Sequence, residues 1–133
     1  MATTALTTEN FESTVTDNDI VLVDFWADWC QPCKRFSPIY EDASGRYEDV
    51  VFAKVDTEDA RDLTAALEIQ SIPTIMAFKK GQLVFRQAGI LSGKQLDSLV
   101  EQVNELDVDA AIAEAKKQAR AGSPTHGPPP KRV

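Results

Sequence analysis

The chain has few of the residues from which metal and cofactor sites are built. Among its 133 residues are one histidine, His126, and two cysteines, Cys30 and Cys33. A structural zinc site takes four nitrogen or sulfur ligands, usually from two cysteine pairs, so a full ligand set is missing and no metal is expected. Glycine is sparse too, and Gly81 and Gly89 stand at the wrong spacing for a dinucleotide-binding fingerprint, so no bound cofactor is expected. No apolar run approaches the roughly 18 to 20 residues that span a bilayer, which excludes a transmembrane helix. Residues 1 to 12 are threonine-rich, with neither a basic n-region nor an apolar h-region, and the first arginine is Arg35. Both points argue against a secretory or transit peptide and for a cytoplasmic address.

Clustered positive charge is lacking as well. Residues 1 to 106 hold 9 basic and 18 acidic side chains, whereas 107 to 133 hold 5 and 3. A phosphate-binding surface needs grouped Lys and Arg, so nucleic acid and anionic membrane are poor candidates for the main partner. Solubility alone accounts for the acid load. With 43% hydrophobic and 26% charged residues, the chain has the composition of one globular domain plus a tail.

Against these absences stands one stretch, Asp24-Phe25-Trp26-Ala27-Asp28-Trp29-Cys30-Gln31-Pro32-Cys33-Lys34, which joins an apolar strand to a helix through both cysteines. Two cysteines separated by two residues can close a small disulfide ring. At the first turn of a helix the leading thiol meets unpaired N–H groups and the positive end of the helix dipole, so Cys30 should ionise readily and act as nucleophile. Cys33, one turn further and carried inward, is the natural resolving thiol. A permanent structural disulfide is the alternative, although so short a loop removes little chain entropy. In a reducing compartment a vicinal pair cycles more readily than it staples.

Along the chain, Thr7 to Val15 reads as a short helix capped by Thr7 or Thr8. Ile20 to Phe25 reads as a strand buried on both faces, interrupted by Asp24. Cys33 to Tyr47 follows as a helix, with Phe36, Tyr40, Ala43 and Tyr47 on one face, and Pro38 inside it predicts a kink. Val50 to Asp56 is a second core strand, interrupted by Lys54, and Ala60 to Leu67 a helix. Thr74 to Phe78 and Leu83 to Ala88 form a hairpin across Lys79-Lys80-Gly81-Gln82. Ser92 and Gln95 make a capping box ahead of a helix whose stripe is Leu96, Leu99, Val100, Val103 and Leu106. Parallel strands with crossover helices followed by a hairpin make a mixed sheet. Residues 107 to 122 read as an extra, weakly anchored helix. Residues 123 to 133 hold four prolines and too few apolar groups to fold.

Two further positions have a physical rationale. An aspartate within an apolar strand loses hydration, so the Asp24 pKa should rise toward a range suited to proton transfer; the alternative is a carboxylate satisfied by Lys54 alone. At Ile72-Pro73 the proline opens a strand without an N–H to give the ladder, and X-Pro is the one bond for which cis is accessible.

The run Trp26 to Lys34 resembles the active-site motif of the thioredoxin family, W-C-G-P-C-K, with Gln31 replacing the usual glycine. The resemblance spans about Leu6 to Leu106 and includes Asp24, Lys54, Ile72-Pro73-Thr74 and Ala88-Gly89. It implies an α/β thioredoxin fold over residues 1 to 106, a mixed five-stranded sheet flanked by four helices. It also implies a monomer that reduces disulfides in other proteins and is itself reduced by a thioredoxin reductase. On this resemblance Asp24 exchanges a proton through water with the buried cysteine, Lys54 supports it, and Pro73 is the cis-proline. Trp29, Gln31, Pro32, Ile72, Ala88, Gly89 and Ile90 then form a mostly apolar docking patch, while Trp26 packs beneath the site. Alternatives are a partner-dedicated or more oxidising oxidoreductase, or a binding or chaperone module with incidental cysteines.

Overall fold

The structure, a computed structural model, describes residues 3 to 110. At its centre is β2 (Ile20–Trp26), buried almost throughout because it has strands on both edges and helices over both faces. β3 (Val51–Asp56) pairs with it in parallel, and β4 (Thr74–Lys79) runs antiparallel on the other side. β5 (Gln82–Ala88) completes a hairpin with β4, and β1 (Thr3–Leu6) lies parallel to β3 at the opposite edge. The order β1-β3-β2-β4-β5 is the mixed five-stranded sheet that the family resemblance implies.

Hydrophobic patterning did not reveal β1. Only Leu6 of its four residues is buried, so its pairing with β3, rather than any apolar alternation, makes it a strand.

Strand parity divides the molecule into two layers. Ile20 and Leu22 pack with Phe36 and Tyr40 of α2 (Gln31–Ser44) and with Leu96 and Val100 of α4 (Gly93–Glu105). Val21, Val23 and Phe25 pack on the other face with Phe11 and Val15 of α1 (Phe11–Asp17) and Leu63 of α3 (Arg61–Ala66). Each large apolar side chain buried in this way stabilises the fold by about 1.5 to 3 kcal/mol. Asp24, in step with Ile20 and Leu22, is thereby carried to the α2 side of the sheet. Tyr40 ties that layer down by donating its hydroxyl to the Ala53 carbonyl at 2.8 Å.

Several boundaries differ from the sequence expectation. α1 starts at Phe11, not Thr7, because Asn10 takes the N-cap position and accepts from the Thr7 N–H at 2.7 Å, which makes a turn of Thr7 to Asn10. α2 starts at Gln31, not Cys33, and ends at Ser44, not Tyr47, and it runs through Pro38 as one element. The β4–β5 connection tightens to Lys80-Gly81, both at positive φ (52° and 80°), the pairing that matches a two-residue turn to strand twist.

At α4 the capping box is present: Gln95 N–H donates to Ser92 Oγ at 3.1 Å, and Ser92 N–H to Gln95 Oε1 at 2.8 Å. Leu96, Leu99, Val100 and Val103 are buried, but Leu106 is 42% exposed because the helix has ended before it. Lys79, buried at the end of β4 remote from Thr74, donates to the carbonyls of Asn104 and Leu106 at 2.8 and 2.7 Å. Lys80 pairs with Asp109 at 2.7 Å beside it. Residues 108 to 110 begin another helix with Asp107 Oδ1 accepting from Ala110 N–H. The rest of the expected extra helix and the proline-rich stretch lie outside the described residues. Among the described residues no helix is long and apolar enough to cross a membrane.

Candidate active site

β2 delivers the chain to the site. Thr57 holds the end of the strand by donating its N–H and hydroxyl to the Trp26 carbonyl at 2.8 and 3.0 Å. The chain then turns, Cys30 N–H bonds to the Ala27 carbonyl at 3.1 Å, and Cys30 becomes the N-cap of α2. Its sulfur takes the place of the usual capping oxygen and accepts the Cys33 N–H at 3.1 Å. Pro32 sits in the first turn, where a missing N–H costs nothing. Cys30 and Cys33 are joined in a disulfide with Cα atoms 5.3 Å apart.

Exposure does not separate the two cysteines, which are 4% and 3% exposed. Their surroundings do. Cys30 Sγ lies 3.7 Å from the Ile72 carbonyl oxygen. Cys33 faces a cavity of about 190 Å³ shared with Asp24, Trp26, Asp28, Lys34, Ser37 and Lys54.

Asp24 is 1% exposed, and neither of its carboxylate oxygens has a hydrogen-bond partner in the protein. Burial lifts its pKa from 3.8 to about 7, and the positive field of Lys54 offsets only part of that rise. The two residues face each other across the β2–β3 ladder. Lys54 nevertheless gives Asp24 no hydrogen bond. Its Nζ stands 4.0 Å from Glu41 Oε2 of α2 and 5.1 Å from the Trp26 ring centroid, and it acts on Asp24 through its charge.

The Ile72–Pro73 bond is cis. Gly89, at φ 103°, donates its N–H to the Pro73 carbonyl at 2.8 Å, and Ala88 pairs with Thr74, so the β5 end is tied to the proline loop. Of the expected patch residues, Ile72 packs against the cysteines, while Trp29 is 65% and Ile90 37% exposed. Gln31 is exposed at the first position of α2. Trp29 and Ile72 also border a groove of about 290 Å³ with Thr57, Thr64 and Ile69.

Sequence reasoning missed three residues here. Glu58 accepts the Trp29 indole N–H at 3.2 Å and is itself held by Arg61 at 2.6 Å. Glu41 pairs with Lys54 at 4.0 Å, and Ser37 shares the cavity with Asp24. Of these, only Ser37 had a readable signal, its i+4 spacing from Cys33 on a helix face.

The thioredoxin family model matches residues 2–105. The chain belongs to the thioredoxin family. It is 48% identical over 122 residues to a chain assigned as thioredoxin 2 in Streptomyces coelicolor, covering 91% of each. Thioredoxin 1 of Plasmodium falciparum is 43% identical over 74 residues, covering 56% of this chain and 71% of the relative. Among solved structures, a mutant thioredoxin from Halobacterium salinarum superposes with a TM-score of 0.73 at 30% identity, covering 79% of this chain and 93% of that one. A Plasmodium falciparum thioredoxin superposes with a TM-score of 0.69 at 37% identity, covering 74% and 97%. Membership in this family, together with a C-x-x-C disulfide at a helix N-cap, identifies the site as one of dithiol–disulfide chemistry.

Proposed function

We propose that the protein is a general protein-disulfide reductase, returned to its dithiol form by a separate thioredoxin reductase. The observation that carries this reading is the Cys30–Cys33 disulfide at the N-cap of α2, set against a buried carboxyl without hydrogen-bond partners. Cys30 is the nucleophile, because the Cys33 N–H aimed at its sulfur favours the thiolate. Cys33 resolves the mixed disulfide, and Asp24 takes its proton. Lys54 acts through its field, restraining the rise in the Asp24 pKa. Extended segments of substrate proteins dock on Trp29, Pro32, Ile72, cis-Pro73, Ala88, Gly89 and Ile90, with no bound cofactor. Residues 1 to 106 carry this chemistry as a monomer, since the residues anchored by Lys79 and Lys80 lie at the opposite end of β4 from Pro73. Such cycling suits a reducing compartment, the cytoplasm.

Insulin reduction with dithiothreitol tests the reading. A variant with both cysteines changed to serine should fall to the uncatalysed rate; full retention would point instead to a binding or chaperone module. The potential measured in a glutathione buffer then separates reductant from oxidant.

Gln31 should tune that potential. Its amide, at the mouth of the helix, can donate to the Cys30 thiolate, which exists only in the reduced state. A bond worth about 1 kcal/mol corresponds to roughly 20 to 30 mV in a two-electron couple. Gln31→Gly should therefore be more reducing than the parent by about that amount, with a slightly higher Cys30 pKa. An equal or higher potential in the glycine variant would make Gln31 a neutral or substrate-facing residue.

A further inference from the structure

Ser37 follows Cys33 by four residues, so the two side chains share one face of α2, and both line the cavity that contains Asp24. Helical serines and threonines commonly turn the hydroxyl back onto a carbonyl three or four residues earlier. Ser13, Thr16, Ser44 and Thr64 do so, donating to the carbonyls of Asn10, Glu12, Glu41 and Ala60 at 3.2, 3.0, 2.6 and 2.8 Å. Half-buried Ser37 makes no such bond among the described residues, as Thr14 and Ser98 make none, and of these three it is Ser37 that lines the cavity. The Asp24 oxygens are likewise without partners. A space of about 190 Å³ bordered by these groups and by Cys33 is polar and roomy enough to hold water.

We infer that Ser37 positions the water through which Asp24 and Cys33 exchange a proton. It is a positioning residue, since it makes and breaks no covalent bond and acts through the water, and its role rests on the disulfide-reductase reading. In the resolving step the Cys33 thiol gives its proton to the water, which passes one on to the Asp24 carboxylate. The Cys33 thiolate attacks Cys30 Sγ of the mixed disulfide. The Cys30–Cys33 bond forms, the bond from Cys30 to the substrate sulfur breaks, and the substrate leaves as a thiolate carrying that electron pair. The cysteine pair is thereby oxidised and the substrate disulfide reduced. Ser37 only accepts and donates hydrogen bonds, fixing the water that would otherwise wander among Asp28, Lys34 and Lys54.

Rapid-quench single turnover on the full chain with insulin, following decay of the mixed disulfide against pH, tests this. Ser37→Ala should slow resolution about fivefold, the rate equivalent of one lost hydrogen bond, while the alkylation rate of Cys30 stays unchanged. Ser37→Thr, which keeps the hydroxyl, should restore most of the rate. Alanine favours helix, so the fold is retained. In an Asp24→Asn background Ser37→Ala should add no further slowing, because the relay is already broken. Resolution at the parent rate in Ser37→Ala, or equal slowing in both backgrounds, would overturn the role of Ser37. Resolution at the parent rate in Asp24→Asn alone would instead overturn the proton-transfer role of Asp24 itself, and the inference with it.

Discussion

Changing Cys30 to serine should reduce insulin reduction to the uncatalysed background, whereas Cys33→Ser should yield a protein that accumulates substrates as mixed disulfides. The asymmetry follows from surroundings rather than exposure, since the two cysteines are buried alike. Cys30 caps α2 and receives the Cys33 N–H, so its thiolate is stabilised by a directed donor and by the helix terminus. Cys33 has no equivalent donor among the described residues and adjoins a buried carboxyl. A neighbouring base to take the proton suits a thiol needed only after the mixed disulfide has formed. Without Cys33 the first attack proceeds and the second bond exchange does not. Non-reducing electrophoresis of each variant mixed with a disulfide substrate checks the outcome, and trapping by Cys30→Ser in place of Cys33→Ser would invert the roles.

The second large effect concerns Asp24 and has a definite sign. Its folded pKa, about 7, lies above the ordinary 3.8, so folding favours the protonated form. The contribution of this group is fully present below about pH 3.8 and is lost as pH climbs through 7. At pH 7 the loss amounts to roughly 4 kcal/mol relative to acid, at 1.36 kcal/mol per pKa unit. Asp24→Asn removes the charge and keeps the shape. It should therefore raise the melting temperature at pH 7 by several degrees and flatten the fall in stability between pH 4 and 8. Disulfide reduction should slow in the same variant, because the buried base is gone. A variant that is less stable at pH 7 and equally active would show Asp24 to be a structural residue. Chemical denaturation across that pH range, paired with insulin turnover, supplies both readouts.

Much of the site was legible because its signals are local. Cys30 and Cys33 lie within one helical turn, Ile20 to Phe25 can only be a buried strand, and Pro73 stands where a ladder N–H cannot be used. The capping box of Ser92 and Gln95 and the existence of the β4–β5 hairpin were readable for the same reason, although its connection is two residues rather than four. The misplaced start of α1 shows the limit of such signals. Thr7, Thr8 and Asn10 can all cap, and which one does depends on the turn that Asn10 makes with the Thr7 N–H.

Residue order alone therefore determined that this protein has a buried carboxyl, a redox-capable cysteine pair at a helix entrance and a proline at a strand mouth, since each follows from spacing and hydration over a few residues. Tertiary structure decided what these groups meet. β1 is a strand only because β3 offers it an edge. Lys54 faces Asp24 in register and lies beside Glu41 and Trp26, yet the carboxyl has no hydrogen-bond partner. Ser37 matters only because strand parity turns Asp24 toward the same face of α2. Local preferences act over one turn or one pleat, whereas a side chain's partners are set by register and packing between segments far apart in the chain, and no short window of sequence contains both halves of such a contact.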